Sequence, residues 1–196
     1  MPETTNYTKH SSKNPIQRLL IDNFYRQLFK TLKPVRPVKI LDVGCGEGIT
    51  IVRLSRAKIG KSYEGVDNSE DAIKIGKKQY PNINIKIGDI YKLPYKDNSF
   101  DLLICTEVLE HLEDPAAAVK ELRRVTSKYV VFSVPNEPFF MLAHLARGQY
   151  ITRFGNHPEH INHWTNPGFK SFLRKNHYKI SASKAPFAWT LVLAKK

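Results

Sequence analysis

The sequence is poor in several things at once, and each shortage closes off a class of protein. Only two of its 196 residues are cysteine, Cys45 and Cys105, too few for a disulfide-stapled scaffold. No apolar run approaches the ~20 residues that a bilayer-spanning helix needs. Residues 1–14 are polar and carry no signal-peptide core. There is no internal repeat, no low-complexity segment and no dense Lys/Arg run. What is present, 41% hydrophobic and 25% charged residues, is the balance of a folded globular chain, long enough for one good core and too short for two. Both cysteines fall in expected strand ends and read as reduced thiols chosen for packing, Cys45 being the one placed to react beside a ligand. The expected location is the cytoplasm.

Acid is scarce at both ends. Residues 1–40 hold eight Lys/Arg and two acids, residues 41–137 hold fourteen and fifteen, and residues 138–196 hold nine and one. The formal net charge of +13 thus belongs to the flanks, around a nearly neutral middle. Basic flanks either form a solvated surface or draw in an anionic acceptor, a nucleic acid or an anionic membrane surface.

The middle opens with Ile40-Leu-Asp-Val-Gly-Cys-Gly-Glu-Gly48, an apolar strand that ends in glycines at alternate positions and passes into a helical pattern over Ile49 to Ile59. Such a turn lets a ligand lie against the main chain. Dinucleotide-binding proteins space theirs G-x-G-x-x-G, whereas here the spacing is G-x-G-x-G, with Asp42 and Glu47 beside it. Two acids suit a cation better than a pyrophosphate. The second strand, Ser62 to Asp67, ends in an acid placed to accept the ribose hydroxyls of an adenosine ligand, unless Asp67 and Asn68 merely cap the next helix at Ser69. The third, Asn82 to Gly88, is followed by Asp89-Ile90, a third strand-end acid or a simple Gly-Asp turn.

The first of these motifs resembles that of class I S-adenosylmethionine-dependent methyltransferases. The run Gly88-Asp-Ile-Tyr-Lys-Leu-Pro94, Asn98-Ser-Phe-Asp101, Glu107-Val-Leu-Glu-His-Leu112 and Asp114-Pro115 is similar to the methyltransferase type 11 group, which includes small-molecule enzymes related to quinone-biosynthesis methyltransferases. The resemblance covers about residues 38–135. It implies S-adenosylmethionine as cofactor, over a floor of Asp42, Gly44, Cys45, Gly46 and Gly48. Asp67 and Asn68 would lie at the ribose and Asp89 and Ile90 at the adenine, with Thr106 and Glu107, after strand four, bordering the methyl.

The remaining elements fit one domain. A helix begins at Asn14-Pro15 and runs to about Leu32; it covers either the cofactor, as a lid, or a sheet face. Strand four is Leu102 to Cys105, a helix starts at Asp114-Pro115, and strand five is Tyr129 to Val134. Phe139 to Arg147 reads as an amphipathic helix on the acceptor side, and Asn166-Pro167 opens the last helix. Tyr178 to Ser183 and Phe187 to Leu193 are too close for a parallel crossover and must form an antiparallel hairpin. The expected fold is α/β, a Rossmann-like doubly wound sheet of seven mainly parallel strands in the order 3-2-1-4-5-7-6. Within a single domain of residues 1–196, residues 1–36 form an N-terminal lid and helix. Residues 37–135 form the cofactor core, 136–165 an acceptor-side insertion, and 166–196 the last helix and hairpin.

Histidines and carboxylates gather in two places. If Glu107 to Leu112 is helical, Glu107, Glu110 and His111 share a face, and His157-Pro-Glu-His160-Ile-Asn-His163-Trp-Thr165 should fold back over the same sheet edge. The pair of segments is similar to small-RNA 2′-O-methyltransferases, which implies a divalent metal on Glu107, Glu110, His111 and His160. The other reading is that Glu110 and His111 bond local backbone and no metal is held, His111, His160 or His163 then serving as general base. O-methylation of a small, lipid-linked or glycan-linked acceptor is the first expectation, an anionic one given the flanks, and an RNA ribose hydroxyl the second. From other classes, an NAD-dependent oxidoreductase would use the same first turn, and a catalytically silent cofactor-binding subunit would bind without turnover.

Overall fold

A computed structural model describes residues 14–137, 139, 141–142 and 159–196. Chain order within them is α1 (Pro15–Leu32), β1 (Lys39–Val43), α2 (Ile49–Arg56), β2 (Ser62–Asp67), α3 (Glu70–Gln79), β3 (Ile85–Ile87), β4 (Phe100–Thr106), α4 (Pro115–Val125), β5 (Thr126–Pro135), α5 (Asn166–Lys175), β6 (Lys179–Lys184) and β7 (Trp189–Lys195). The seven strands form one sheet in the order β3-β2-β1-β4-β5-β7-β6, parallel from β3 to β5 and antiparallel at β5/β7 and β7/β6. Fold class, strand order and the closing hairpin are those the sequence predicts.

Because side chains alternate across a strand, the sheet has two dry faces. Ile40, Leu102, Ile104, Val131, Leu191 and Leu193 look one way and pack under Leu28 and Leu32 of α1 and Leu54 of α2. Leu41, Val43, Leu103, Cys105, Phe132 and Val192 look the other way, against α4 and against Phe169 and Leu173 of α5. Helix α1 thus covers a sheet face, the second of its two expected roles; residues 1–13 lie outside the described residues. It starts where expected, with the Asn14 side chain accepting from the Ile16 and Gln17 amides.

Three differences from expectation have local causes. β3 keeps only Ile85–Ile87: it pairs with β2 alone, and just before it the Ile83 amide turns back to the Tyr80 carbonyl, although the Asn84 carbonyl still accepts from Gly65 of β2. Glu107 to Leu112 is not a helix. Glu107 takes φ +58° and only Leu109–His111 form a single 3-10 turn, so the sheet end, not helical spacing, decides where Glu107 points. Of the helix expected at Phe139 to Arg147, only Phe139, Met141 and Leu142 are described, all helical.

Candidate active site

The glycine turn is hung from the end of β2. The Gly44 and Cys45 amides both donate to the Val66 carbonyl, at 2.8 and 3.1 Å, and the Gly46 amide donates to Asp67 Oδ2 at 2.7 Å. The other oxygen of Asp67 accepts from the Ser69 amide at 2.9 Å. Asp67 therefore ties the glycine turn to Ser69, and it is Ser69, not Asp67 or Asn68, that caps α3, its side chain accepting from the Ala72 amide. Gly44 has φ +74°, and a Cβ there would collide with a Val108 methyl. The loop after β4 is thereby pressed against the loop after β1.

Asp42 lies below this turn, 2% exposed. Its Oδ2 has no hydrogen-bond partner among the described residues. Burial first and the Asp67 carboxylate second push its pKa up to about 7. A buried, donor-less carboxylate oxygen beside a second acid is costly by itself and suits an incoming cation. Glu47, in the turn, is fully buried. The Cys45 thiol is also buried and pushed well up by that burial and by Asp42, a packing residue rather than a nucleophile.

At the neighbouring strand end, Gly88 donates to the Asp67 carbonyl at 2.9 Å, which sets Asp89 one residue beyond. Asp89 is exposed and caps its own turn through the Tyr91 amide at 2.9 Å, while Ile90 packs against the core. Asn68 is exposed next to Asp67. The structure thus gathers Asp42, Asp67 and the glycine turn tightly, with Asp89 and Ile90 at the flank.

Thr106 ends β4 opposite Ser133, and this register fixes the next residue. Glu107 accepts from Ser133 Oγ at 3.0 Å and from the Trp189 indole at 2.6 Å. Trp189 reaches it because β7 pairs with β5 so that Trp189 stands beside Pro135. Tyr25 of α1 closes this side. Its hydroxyl bonds Thr50 at 3.0 Å, Arg53 stacks over its ring, and burial holds its pKa at about 12, with Asp42 and Glu107 adding to the rise.

The histidine segment does fold back. The Glu110 carbonyl accepts from the Ile161 and Asn162 amides at 2.9 and 3.0 Å, and the Asn162 side chain donates to the carbonyls of Leu109 and Leu112 at 3.2 and 2.6 Å. Donor atoms of Glu110, His111 and His160 lie within 4.8 Å of one another. Glu107, the fourth of the expected metal ligands, is turned away to Trp189 and Ser133. His163 stands apart too, its Nδ1 3.7 Å from Glu137 Oε1, with Glu137 8% exposed. Among the groups sequence reasoning missed, Trp189 and Glu137 carried no local motif. Their distance along the chain from Glu107 and His163 hid them.

Comparison with known proteins agrees with this geometry. A family model described as "Methyltransferase domain" matches residues 41–133. An uncharacterized methyltransferase of Schizosaccharomyces pombe is 39% identical over 99 residues, 45% of this chain and 36% of that protein. Demethylmenaquinone methyltransferase of Staphylococcus aureus is 35% identical over 105 residues, 51% and 43%. The chain spans less than half the length of these curated relatives. Among solved structures, magnesium protoporphyrin IX methyltransferase from Synechocystis with bound S-adenosylhomocysteine aligns with a TM-score of 0.71 at 16% identity, over 96% of this chain and 91% of that one.

Proposed function

Since the chain belongs to the type 11 group of class I S-adenosylmethionine-dependent methyltransferases, we propose that it methylates a hydroxyl oxygen of a small, lipid-linked or glycan-linked anionic acceptor. The observation that carries methyl-donor binding is the Asp42–Asp67 pair under the glycine turn, with one buried carboxylate oxygen left without a donor. When bound, S-adenosylmethionine supplies a methyl group made electrophilic by a sulfonium. The chain's own part is to hold, orient and deprotonate.

Gly44 to Gly48 and Asp42 would hold the methionine end, Asp67 with Asn68 the ribose, and Asp89 with Ile90 the adenine. Thr106 and Glu107 border the reacting centre, and the Trp189 and Ser133 hydrogen bonds keep the Glu107 carboxylate from swinging into it. Of the three candidate bases, His163 is favoured. Its Nδ1 faces Glu137, which would hold a protonated ring in place and leave Nε2 to take the acceptor's proton. Basic flanks on either side of the core favour an acceptor that carries negative charge.

Thermal unfolding with S-adenosylhomocysteine or with NAD tests the first half, because a ligand that binds only the folded chain raises its stability. Stabilisation by S-adenosylhomocysteine alone is expected, and stabilisation by NAD alone would overturn the reading. Transfer of labelled methyl to panels of phenolic, lipid-linked, glycan and RNA acceptors tests the second. Label on RNA, with affinity falling steeply as salt rises through counterion release, would replace the small acceptor with a ribose hydroxyl. Cofactor binding without transfer to any class would leave a silent binding subunit.

A further inference from the structure

We propose that the carboxyl edge of the sheet, on the side built by α1 and the β5–β7 end, docks on an anionic lipid surface, and that the acceptor is taken from that surface. Five large apolar side chains gather there: Ile16 and Leu19 of α1, Phe139 and Leu142 after β5, and Phe187 between β6 and β7, each 52–69% exposed. They are more than half of the nine large apolar side chains exposed among the described residues, so their placement is not an even scatter. Val38, just before β1, is exposed at the opposite edge. Single exposed apolar side chains are ordinary, whereas several collected around the mouth of a site mark a surface that meets another body.

The fold sets these side chains at one level. Phe24 of α1 packs on Trp189, ring centroids 5.5 Å apart, and Trp189 stands beside Pro135, the last residue of β5. Tyr25 reaches Thr50, past the carboxyl end of β1, while α1 ends at Leu32, before β1 begins, so the start of α1 points beyond the strand ends. Ile16 comes eight residues before Phe24, and at ~1.5 Å per residue α1 overhangs the sheet by about 12 Å. Ile21, Phe24 and Tyr25 are buried, and Ile16 and Leu19, three residues apart, share an outer face. On the hairpin, the Ala188 carbonyl accepts from the Asn136 amide at 2.9 Å, which carries Phe187 out past the strand ends. After β5, the Glu137 carboxylate accepts from the Met141 amide at 3.2 Å and fixes the turn that bears Phe139 and Leu142.

Charge selects the partner. Arg18, exposed between Ile16 and Leu19, lines a notch with Ile21, Asp22 and Arg53, and Lys184, at the end of β6, is exposed as well. Acid on this side is scarce or already answered. Asp22 pairs with Arg53 at 3.3 Å, Glu137 is buried and faces His163, and residues 138–196 hold nine Lys/Arg and one acid, Glu159. The exposed acids Glu70, Asp71, Asp89, Glu113 and Asp114 follow β2, β3 and β4 instead. Apolar side chains interleaved with cations suit an anionic bilayer, which holds a protein by insertion and attraction together. A second copy of this chain would bring the same positive charge to the contact, and a nucleic acid, which stacks on aromatic rings, leaves Ile16, Leu19 and Leu142 unanswered. Docking rests on exposure and charge alone; taking the acceptor from the bilayer rests on the proposed O-methylation.

The test floats the full chain with vesicles of phosphatidylcholine, alone or mixed with phosphatidylglycerol, at low and high salt and without cofactor. Binding to the mixed vesicles is expected, weakened by salt and absent with phosphatidylcholine alone. Affinity should fall by at least about tenfold in the double variant Ile16→Ser/Leu19→Ser and stay unchanged in Val38→Ser, at the other edge. Both variants alter exposed side chains, and unchanged urea unfolding checks that they fold. No binding to the mixed vesicles, equal binding to both kinds, or equal binding by the double variant overturns the docking surface. Light scattering reads the oligomeric state alongside: a wild-type dimer that the double variant dissolves, with no vesicle binding, also overturns it and gives the face to a second copy. Stabilisation by S-adenosylhomocysteine is measured separately, so failure here is distinguishable from failure of the methyltransferase reading.

Discussion

Replacing Asp42 by asparagine should make the ligand-free protein more stable and a worse binder. The side chain is 2% exposed, and its pKa is raised from 3.8 to about 7 by burial and by Asp67. At 1.36 kcal/mol per pK unit, that shift corresponds to roughly 4 kcal/mol at most. The sign follows from proton linkage. A group whose folded pKa is raised contributes stability that is fully present below its unfolded value and lost as pH rises through the folded one. The wild type should therefore lose stability relative to Asp42→Asn from about pH 4 upward, by roughly 1.4 kcal/mol per pH unit, and the gap should level off just above about pH 7. Asparagine keeps the shape and carries no charge at any pH, so its curve lacks this component. Urea unfolding of both proteins at a series of pH values reads the gap directly. The same substitution removes the charge meant for the cofactor's cationic end, so the variant should show little S-adenosylhomocysteine stabilisation. Parallel stability curves, or undiminished ligand binding by the variant, would refute the assignment of Asp42 as a buried charge held for a ligand.

Asp67→Ala removes the acceptor of two backbone amides, Gly46 and Ser69, and should weaken S-adenosylhomocysteine binding by at least about tenfold, each hydrogen bond to a charged group being worth ~1.5–3 kcal/mol; calorimetric titration measures it. Trp189→Phe takes the indole donor from Glu107 and should cost about 1–3 kcal/mol of stability while lowering kcat more than it changes cofactor affinity. Gly76→Ala puts a methyl 2.6 Å from the Glu47 carbonyl oxygen, so α3 must move off the glycine turn. A loss of about 1–3 kcal/mol in urea unfolding, with weaker cofactor binding, is expected. Rising salt should raise KM for an anionic acceptor and leave S-adenosylhomocysteine affinity nearly constant, because exposed flank charges are screened and the buried carboxylates are not.

The parts legible in the sequence are those fixed by short-range rules. The Asn14-Pro15 helix start needs only a capping oxygen and a preset φ. The short connection after Ser183 leaves no room for a crossover, so the last pairing had to be antiparallel, while the placement of β7 beside β5 came with the family resemblance. That Asp67 would stand beside the glycine turn, where it accepts from the Gly46 amide, was legible because the ends of β1 and β2 are neighbours in any such sheet. Glu107 shows where this stops. Its place on a helical face with Glu110 and His111 presumed helical backbone angles from Glu107 onward, and nothing in Thr106-Glu-Val-Leu-Glu-His111 announces φ +58°. The deciding partner, Trp189, is 82 residues away, and β7 places it there through its register with β5. The approach of His160 to Glu110 and His111 was readable only as two segments sharing a sheet edge; the Asn162 side chain that ties them carries no motif.

Charge of opposite sign is sorted by depth in this protein, and the sorting bears on what it can bind. Among the described residues, the buried ionised types are all acidic: Asp42, Glu47, Glu110 and Glu137. No lysine or arginine joins them, in a chain whose net charge is +13. Asp42 is the next-to-last residue of β1 and the other three follow the carboxyl ends of β1, β4 and β5, the edge at which doubly wound sheets collect ligands. Burial and the neighbouring Asp67 carboxylate make Asp42 expensive to keep charged, as its raised pKa records, whereas Glu137 accepts from the Met141 amide and faces His163. The cost at Asp42 is offset if a cation arrives, as the proposed methyl donor would bring one. Under the proposed function, a cationic donor would answer this buried charge and an anionic acceptor the basic flanks.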